Sequence, residues 1–230
     1  MAQRMSTHRT YTSPPCLAAE LDAAYSDPGA QSPDDVARWR RDTRAHLRTA
    51  RDALRVTERD TISQALQAHL RTLLTQRFGS VRGRIISFYW PIKAEPDLRP
   101  LMATLHGEGA VIALPVVEQK AAPLVFRHWT PETRMQRGDW NIPVPPPKAD
   151  RLIPAITLAP LVGWDGNGYR LGYGGGYFDR TLAAISPRPF TIGIGYQAAR
   201  LTTIHPHPHD IPLDLILTEA GLATERTAPQ

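Results

Sequence analysis

From Gly83 onward the chain is written as short apolar runs, stopped by glycine or proline and separated by segments with helical periodicity. Such runs suit buried strands, and a helix between consecutive strands is the connection that a parallel sheet requires. Ile85 to Trp90 reads as a strand, Asp97 to His106 as a helix closed by Gly107 and Gly109, and Ala110 to Leu114 as the next strand. Leu124 to Trp129 is another strand, whereas Ile142 to Pro147 is too rich in proline to hold a ladder and is expected as an extended loop. Ile156 to Val162 has the buried-strand pattern and leads into a long glycine-rich stretch, Gly163 to Gly176. Tyr177 to Ile185 reads as a short helix stopped by Pro187, and Phe190 to Gly195 and Leu215 to Thr218 as the last strands. The alternation predicts an α/β fold. A chain of 230 residues fits one such domain with appended segments, large enough to bury a core without disulfides or a structural metal.

The N-terminal part is different. Residues 1–33 scatter prolines and small polar residues without an apolar face and are expected to be a mobile extension. Ser32-Pro33-Asp34-Asp35 then marks a helix start, with a serine cap, proline in the first turn and two acids at the positive end of the dipole. Between Arg38 and Arg59 lie eight arginines against three acids, an excess equal to the whole chain's net charge of +5. At about 100° per residue, Arg40, Arg44, Arg48, Arg51 and Arg55 form one narrow stripe, with Val36, Trp39, Leu47, Ala50 and Leu54 gathered on the other side. Thr57-Glu58-Arg59-Asp60 reads as the cap of a second helix running through Leu66, Leu70 and Leu73 to Gly79. The single cysteine, Cys16, excludes an internal disulfide framework and any multi-cysteine metal site. No stretch has the length of a membrane span, and Met1 to Cys16 has no apolar core of a secretion signal, so a soluble cytoplasmic protein is expected.

The stretch that carries chemistry is Arg170-Leu171-Gly172-Tyr173-Gly174-Gly175-Gly176-Tyr177-Phe178-Asp179-Arg180. It joins a strand to a helix, where unpaired backbone N–H groups and the helix dipole favour an anion. It is not a Walker A loop, for no Gly-Lys-Ser/Thr ends it, and Tyr177 stands where the dinucleotide fingerprint needs a third glycine. Taken alone, it is either a glycine turn or a phosphate cradle. Arg170 and Arg180 on its flanks favour phosphate, and Asp179 at the start of the helix is placed to hold a magnesium ion that bridges phosphates.

The run from Pro160 to Arg180, with Asp165, Gly168 and then Arg-Leu-Gly-x-Gly-x-Gly-Tyr-aromatic-Asp, resembles the signature of the 5-formyltetrahydrofolate cyclo-ligases, also called methenyltetrahydrofolate synthetases. Four further segments resemble the family in order. They are Arg44-x-x-Leu47-x-x-x-Arg51-x-x-Leu54 with Glu58-Arg59, Phe88-Tyr89-Trp90 with Glu95, Trp140-Asn141-Ile142-Pro143-x-Pro145, and His209-Asp210 with Asp214. The resemblance covers residues 38 to 218 and implies a single three-layer α/β/α domain with a mostly parallel central sheet, over residues 34–220, followed by a tail over 221–230. It also implies ATP-dependent cyclisation of 5-formyltetrahydrofolate to 5,10-methenyltetrahydrofolate, with ADP and phosphate released.

On that resemblance, Arg40 and Arg44 reach ATP, with Arg41 the alternative to Arg40, and Arg170 through Phe178 form the nucleotide loop. Tyr173, Gly174, Gly175, Gly176 and Tyr177 also line the folate side, Glu95 is the substrate-binding acid, Trp90 a lesser partner, and Trp140 a flat face for the pterin. Asp179 and Asp210 match magnesium ligands, and no residue acts as a nucleophile. A monomer is expected, with no nucleic-acid or membrane partner. The chain departs from some members in having uncharged Tyr173 and Gly175 where they carry a basic residue, and Val144 where many have an acid.

Ordinary readings stand beside these. The arginine stripe could be a solvated helix face, Glu95 a surface ion pair with Lys93, and Trp140 a plug at the core edge. His205, His207 and His209 alternate with prolines, a spacing that turns them apart and argues for an exposed loop rather than a metal site. The competing function is a non-enzymatic phosphate or nucleic-acid binding module built on the arginine helix, and a third is a related enzyme acting on another folate or pterin.

Overall fold

The computed structural model describes residues 32–226. Most of the expected N-terminal extension, with Cys16, therefore lies outside the described residues. The first helix, α1 (Pro33–Asp52), begins as its sequence dictates: Ser32 is extended and its hydroxyl accepts from the Asp35 N–H at 3.3 Å. Helix α2 (Val56–Phe78) starts two residues earlier than Thr57 would set, because Glu58 reaches back to the Arg55 N–H at 2.7 Å. It ends at Gly79, whose φ of 64° only glycine adopts freely.

Strand β1 (Ile85–Ser87) is shorter than the apolar run predicts. Phe88 still donates to the Ala113 carbonyl, but the chain then leaves the sheet through Pro91, and the Tyr89 hydroxyl donates to the Pro96 carbonyl at 2.8 Å. Helix α3 (Arg99–Gly107) leads to β2 (Val111–Val116) and β3 (Val125–Trp129). The proline-rich segment does hold a small ladder after all, between β4 (Gln136–Arg137) and β5 (Pro143–Val144), a position open to proline because each strand is only two residues long. Then come β6 (Arg151–Leu152) and β7 (Ile156–Pro160). The glycine-rich stretch is not all loop: β8 (Gly163–Asp165) and β9 (Arg170–Leu171) pair within it, and helix α4 (Tyr177–Ala184) follows. The chain closes with β10 (Phe190–Ile194), β11 (Arg200–Leu201), β12 (Leu215–Thr218) and β13 (Gly221–Glu225), the last extending the sheet into the segment read as a tail.

The central sheet has the order β13-β12-β10-β7-β1-β2-β3-β6. The five strands from β12 to β2 are parallel, and antiparallel strands finish both edges. Alternation along each strand sends side chains to two cores. Leu158, Leu215 and Leu217 join α2 and α3 through Leu66, Leu70, Leu74, Leu101 and Met102, while Ala159 and Ile216 join α1 and α4 through Leu47 and Leu182. The protein is thus a three-layer α/β/α domain with a mostly parallel sheet.

Two devices hold the small sheet β11-β8-β9 against this frame. Trp164 is buried and donates its indole N–H to the Tyr196 carbonyl at 2.9 Å. The fully buried Asp165 accepts from the N–H groups of Asn167, Tyr169 and Ile204, which fixes the turn leading to the glycine loop. At that turn Gly168 has φ 82°, its carbonyl accepts from the Leu213 N–H at 2.9 Å, and a Cβ there would lie 2.8 Å from the Leu213 carbonyl oxygen. We expect Gly168→Ala to cost about 2–4 kcal/mol, from left-handed backbone strain plus a clash with main chain. Urea denaturation measures it, and a loss under about 0.5 kcal/mol would show that this junction yields easily.

Candidate active site

The two stripes of α1 adjoin rather than oppose one another, and the face that packs on the body runs through Thr43, Leu47 and Arg51. Of the stripe, Arg51 is buried and Arg40, Arg44 and Arg48 are half-buried, so most of it is not a solvated surface, whereas Arg55 at its end is exposed. Arg40 sits 2.9 Å from Asp210 Oδ2, while Arg41 next to it is exposed. One turn on, Arg44 donates from Nε to the Gly172 carbonyl at 2.8 Å. Arg48 and Arg51 place their guanidinium groups 5.8 and 5.9 Å from the centre of the Tyr173 ring, with the Lys93 ammonium 5.2 Å from the same ring. Burial, and then the repulsion of Arg40, lower the proton affinity of Arg44.

Beneath the loop a second arginine-carboxylate pair forms. Arg170, 6% exposed, donates to Asp179 Oδ1 at 3.0 Å and to the Ile211 carbonyl at 3.0 Å, while the Ile211 N–H donates to Asp179 Oδ1 at 3.1 Å. Ile211 follows Asp210, so this clamp brings the two aspartates onto adjoining segments. Asp210 Oδ2 also accepts from the His207 N–H at 2.8 Å. Arg180 folds back to the Gly175 carbonyl at 2.5 Å and shapes the far end of the loop, where Gly174 and Gly176 hold φ of 93° and 64°.

The third group is Glu95, 7% exposed and so no surface ion-pair partner for Lys93. Its Oε2 accepts from the Ile92 N–H at 2.9 Å and its Oε1 from the Tyr173 hydroxyl at 2.9 Å. That hydroxyl in turn accepts from Arg51 Nη2 at 2.6 Å. Desolvation pushes the Glu95 carboxyl up to about 7, against the pull of the Ile92 N–H, Arg51, Tyr173 and Lys93. Burial also drives the Tyr173 hydroxyl upward, keeping it a donor.

Five polar atoms along α1, Trp39 Nε1, Arg40 Nε, Thr43 Oγ1, Arg48 Nε and Arg51 Nε, are shut off from solvent with no hydrogen-bond partner among the described residues. Each such group costs about 1–3 kcal/mol if nothing ever meets it. Four are N–H donors, three of them on guanidinium groups, and their concentration on one helix beside a glycine loop fits a polyanionic ligand.

The sequence model of the 5-formyltetrahydrofolate cyclo-ligase family matches residues 36–219. The chain belongs to that family. It is 30% identical over 188 residues to the 5-formyltetrahydrofolate cyclo-ligase of Mycolicibacterium smegmatis, covering 76% of this chain and 93% of that one. To the enzyme of the same name from Haemophilus influenzae it is 28% identical over 184 residues, covering 77% and 96%. Among solved structures, the 5,10-methenyltetrahydrofolate synthetase of Aquifex aeolicus superposes with a TM-score of 0.70 at 25% identity, covering 83% of this chain and 95% of that one.

Most residues singled out for this cyclo-ligase fold converge. Arg40, Arg44, Arg170, Gly172, Tyr173, Gly174, Gly175, Asp179, Asp210 and Glu95 form one connected cluster. Trp140 is no core plug: it is 68% exposed, with its ring edge-on to Tyr177 at 5.5 Å. Leu171 contributes main chain only, for its side chain is buried and its carbonyl accepts from the Val162 N–H at 2.8 Å. Phe178 packs on the second core beneath the Arg170 guanidinium, 5.6 Å away. Trp90 lies apart, packed on the first core with the Arg99 guanidinium 5.2 Å from its ring. Among the described residues no three His, Cys, Asp or Glu side chains gather in a metal-binding group. Arg51 was legible as a member of the stripe and of the family-like segment from Arg44 to Leu54, but nothing in its spacing announces a contact with Tyr173.

Glu95 leaves a pH signature. Its folded value of about 7 lies above the 4.5 of a free glutamate, so the folded protein holds a proton that the unfolded chain has lost between those limits. Stability from this group is full below about 4.5 and is lost as pH rises through 7, by about 3 kcal/mol. Urea midpoints from pH 5 to 8 should therefore fall more for the parent protein than for Glu95→Gln. Parallel curves would contradict the buried carboxyl.

Proposed function

We propose that the protein catalyses the ATP- and magnesium-dependent cyclisation of 5-formyltetrahydrofolate to 5,10-methenyltetrahydrofolate, with ADP and phosphate released. The observation that carries the reading is the set of buried, unpartnered polar atoms on α1, the helix that Arg44 bonds to the glycine loop, beside two carboxylates held by arginine and main-chain donors. A triphosphate satisfies the donors. The substrate half rests on family membership and on Glu95, a buried carboxylate that accepts from Tyr173 of the loop.

A formamide oxygen is a poor leaving group, and its phosphorylation by the γ-phosphoryl group of ATP makes it a good one. N10 then attacks the formyl carbon, loses its proton, and phosphate departs. The protein needs no nucleophile for this; it needs to align the reactants and neutralise phosphate charge. Arg40, Arg44 and Arg170 supply fixed positive charge, and the N–H groups of the glycine loop and of the first turn of α4 supply directed donors. Glu95 accepts hydrogen bonds from the folate, and the exposed face of Trp140 stacks on the pterin.

Asp179 and Asp210 would hold magnesium. Two carboxylates are too few for a protein cage but suit an ion that keeps water and shares phosphate oxygens. Asp179 Oδ2 and Asp210 Oδ1 take no part in the arginine and main-chain contacts described above. When bound, the ion supplies charge neutralisation at the phosphates.

Purified protein given 5-formyltetrahydrofolate, ATP and magnesium should develop the near-ultraviolet absorbance of methenyltetrahydrofolate. No change at micromolar protein would overturn the reading. Asp179→Asn keeps an acceptor for Arg170 and should abolish turnover while changing the stability measured in urea by no more than about 1 kcal/mol. Arg44→Ala should raise the KM for ATP about tenfold or more and that for folate far less, by loss of one charge-assisted contact. An effect confined to folate would place α1 on the other substrate.

A further inference from the structure

Arg51 is the one arginine of the stripe that is wholly inside the protein, at 6% exposure, and no step described above uses it. A buried guanidinium is costly unless its charge is answered. Arg51 donates to the Leu161 carbonyl at 3.4 Å and to the Tyr173 hydroxyl at 2.6 Å, and that hydroxyl donates onward to Glu95. The counter-charge is thus Glu95, one hydroxyl away. All three members of the chain come from different segments: α1, the glycine loop and the turn Ile92–Glu95.

We propose that Arg51 is a positioning residue for the folate end of the site: through the Tyr173 hydroxyl it holds Glu95 as an aligned carboxylate, ready to accept from the substrate. The proposal rests on the cyclo-ligase reading for what Glu95 does, and on geometry for how Arg51 controls it. The donors run one way, from guanidinium to hydroxyl to carboxylate, so each bond strengthens the next. The groups facing Glu95 are Arg51 from α1, Tyr173 from the loop, Lys93 from its own turn, Tyr89 from the chain after β1 and Tyr196 from the chain after β10. Only two of these are cations, and Lys93 is exposed, where water screens it. Arg51 is the unscreened one.

The turn itself needs the carboxylate. Lys93 and Ala94 hold φ of 47° and 57°, a left-handed conformation that costs non-glycine residues energy. It is kept by the Ile92 N–H on Glu95 Oε2, by the Glu95 N–H on the Ile92 carbonyl, and by the Tyr196 hydroxyl on the Ala94 carbonyl at 2.6 Å. A protonated Glu95 would offer a weaker acceptor to the turn and to Tyr173 together.

The test is a carbon-13 NMR titration of glutamate side-chain carboxyls in the full chain, with the Glu95 resonance assigned by its loss in Glu95→Gln. In the parent protein Glu95 should titrate near 7, in Arg51→Met about one pH unit higher, and in Arg51→Lys close to the parent. Tyr173→Phe interrupts the same chain from its middle and should also raise the value, which keeps the test open if Arg51→Met folds poorly. The acid limb of kcat/KM for 5-formyltetrahydrofolate should move by the same amount as the resonance. A Glu95 titration unchanged in both Arg51→Met and Tyr173→Phe would overturn the proposal, as would an activity loss with no movement of the acid limb. Absence of product from the parent protein would instead overturn the cyclo-ligase reading, and the titration would still decide whether Arg51 sets the state of Glu95.

Discussion

Everything at the functional end of this protein depends on the docking of one cationic helix onto one glycine loop. Helix α1 is not held there by an apolar stripe alone. Leu47 supplies a contact, but Arg40, Arg44 and Arg51 supply the register, each bonded to a different part of the site: Asp210, the Gly172 carbonyl and Tyr173. The long stems of arginine pack like hydrocarbon while their heads reach polar partners, which lets a helix with a strongly charged face still close over a domain. Arginine rather than lysine suits this work, because a planar fork can serve a carbonyl or a carboxylate and still present N–H groups to phosphate.

The same contacts explain how carboxylates and guanidinium groups can share one small volume. Four guanidinium groups close together would repel, and Asp179 and Asp210 relieve that by pairing with Arg170 and Arg40. On the proposed function, phosphates would take Arg40 and Arg170, and Asp210 and Asp179, released from them, would hold the magnesium ion. In the free protein the two carboxylates answer the charges of Arg40 and Arg170, which lowers the cost of holding those two arginines in place.

Much of this was legible in the sequence. The strand-helix alternation gave the sheet, the Ser32 cap and Gly79 gave two helix ends, and the spacing of Arg40 and Arg44 put them on one face. Three things were hidden for physical reasons. The small sheet of β8 and β9 was masked by glycines, although its anchors, Trp164 and Asp165, are internal. The link from Arg51 to Tyr173 spans 122 residues and that from Tyr173 to Glu95 spans 78, distances over which periodicity carries no information. The burial of Glu95 also follows from tertiary packing, for beside Lys93 in sequence it looks like a surface charge. Trp140 shows the opposite: its exposure is set by a left-handed backbone in a short turn, with φ 52°, that no local pattern announces.

The most direct measurement is a structure with magnesium and a non-hydrolysable ATP analogue bound. The account predicts that Arg40 and Arg170 lie within hydrogen-bond reach of phosphate oxygens, that Arg44 stays on the loop, and that Asp210 and Asp179 have passed to the metal. Nucleotide bound with the Arg40–Asp210 and Arg170–Asp179 pairs both intact would contradict it.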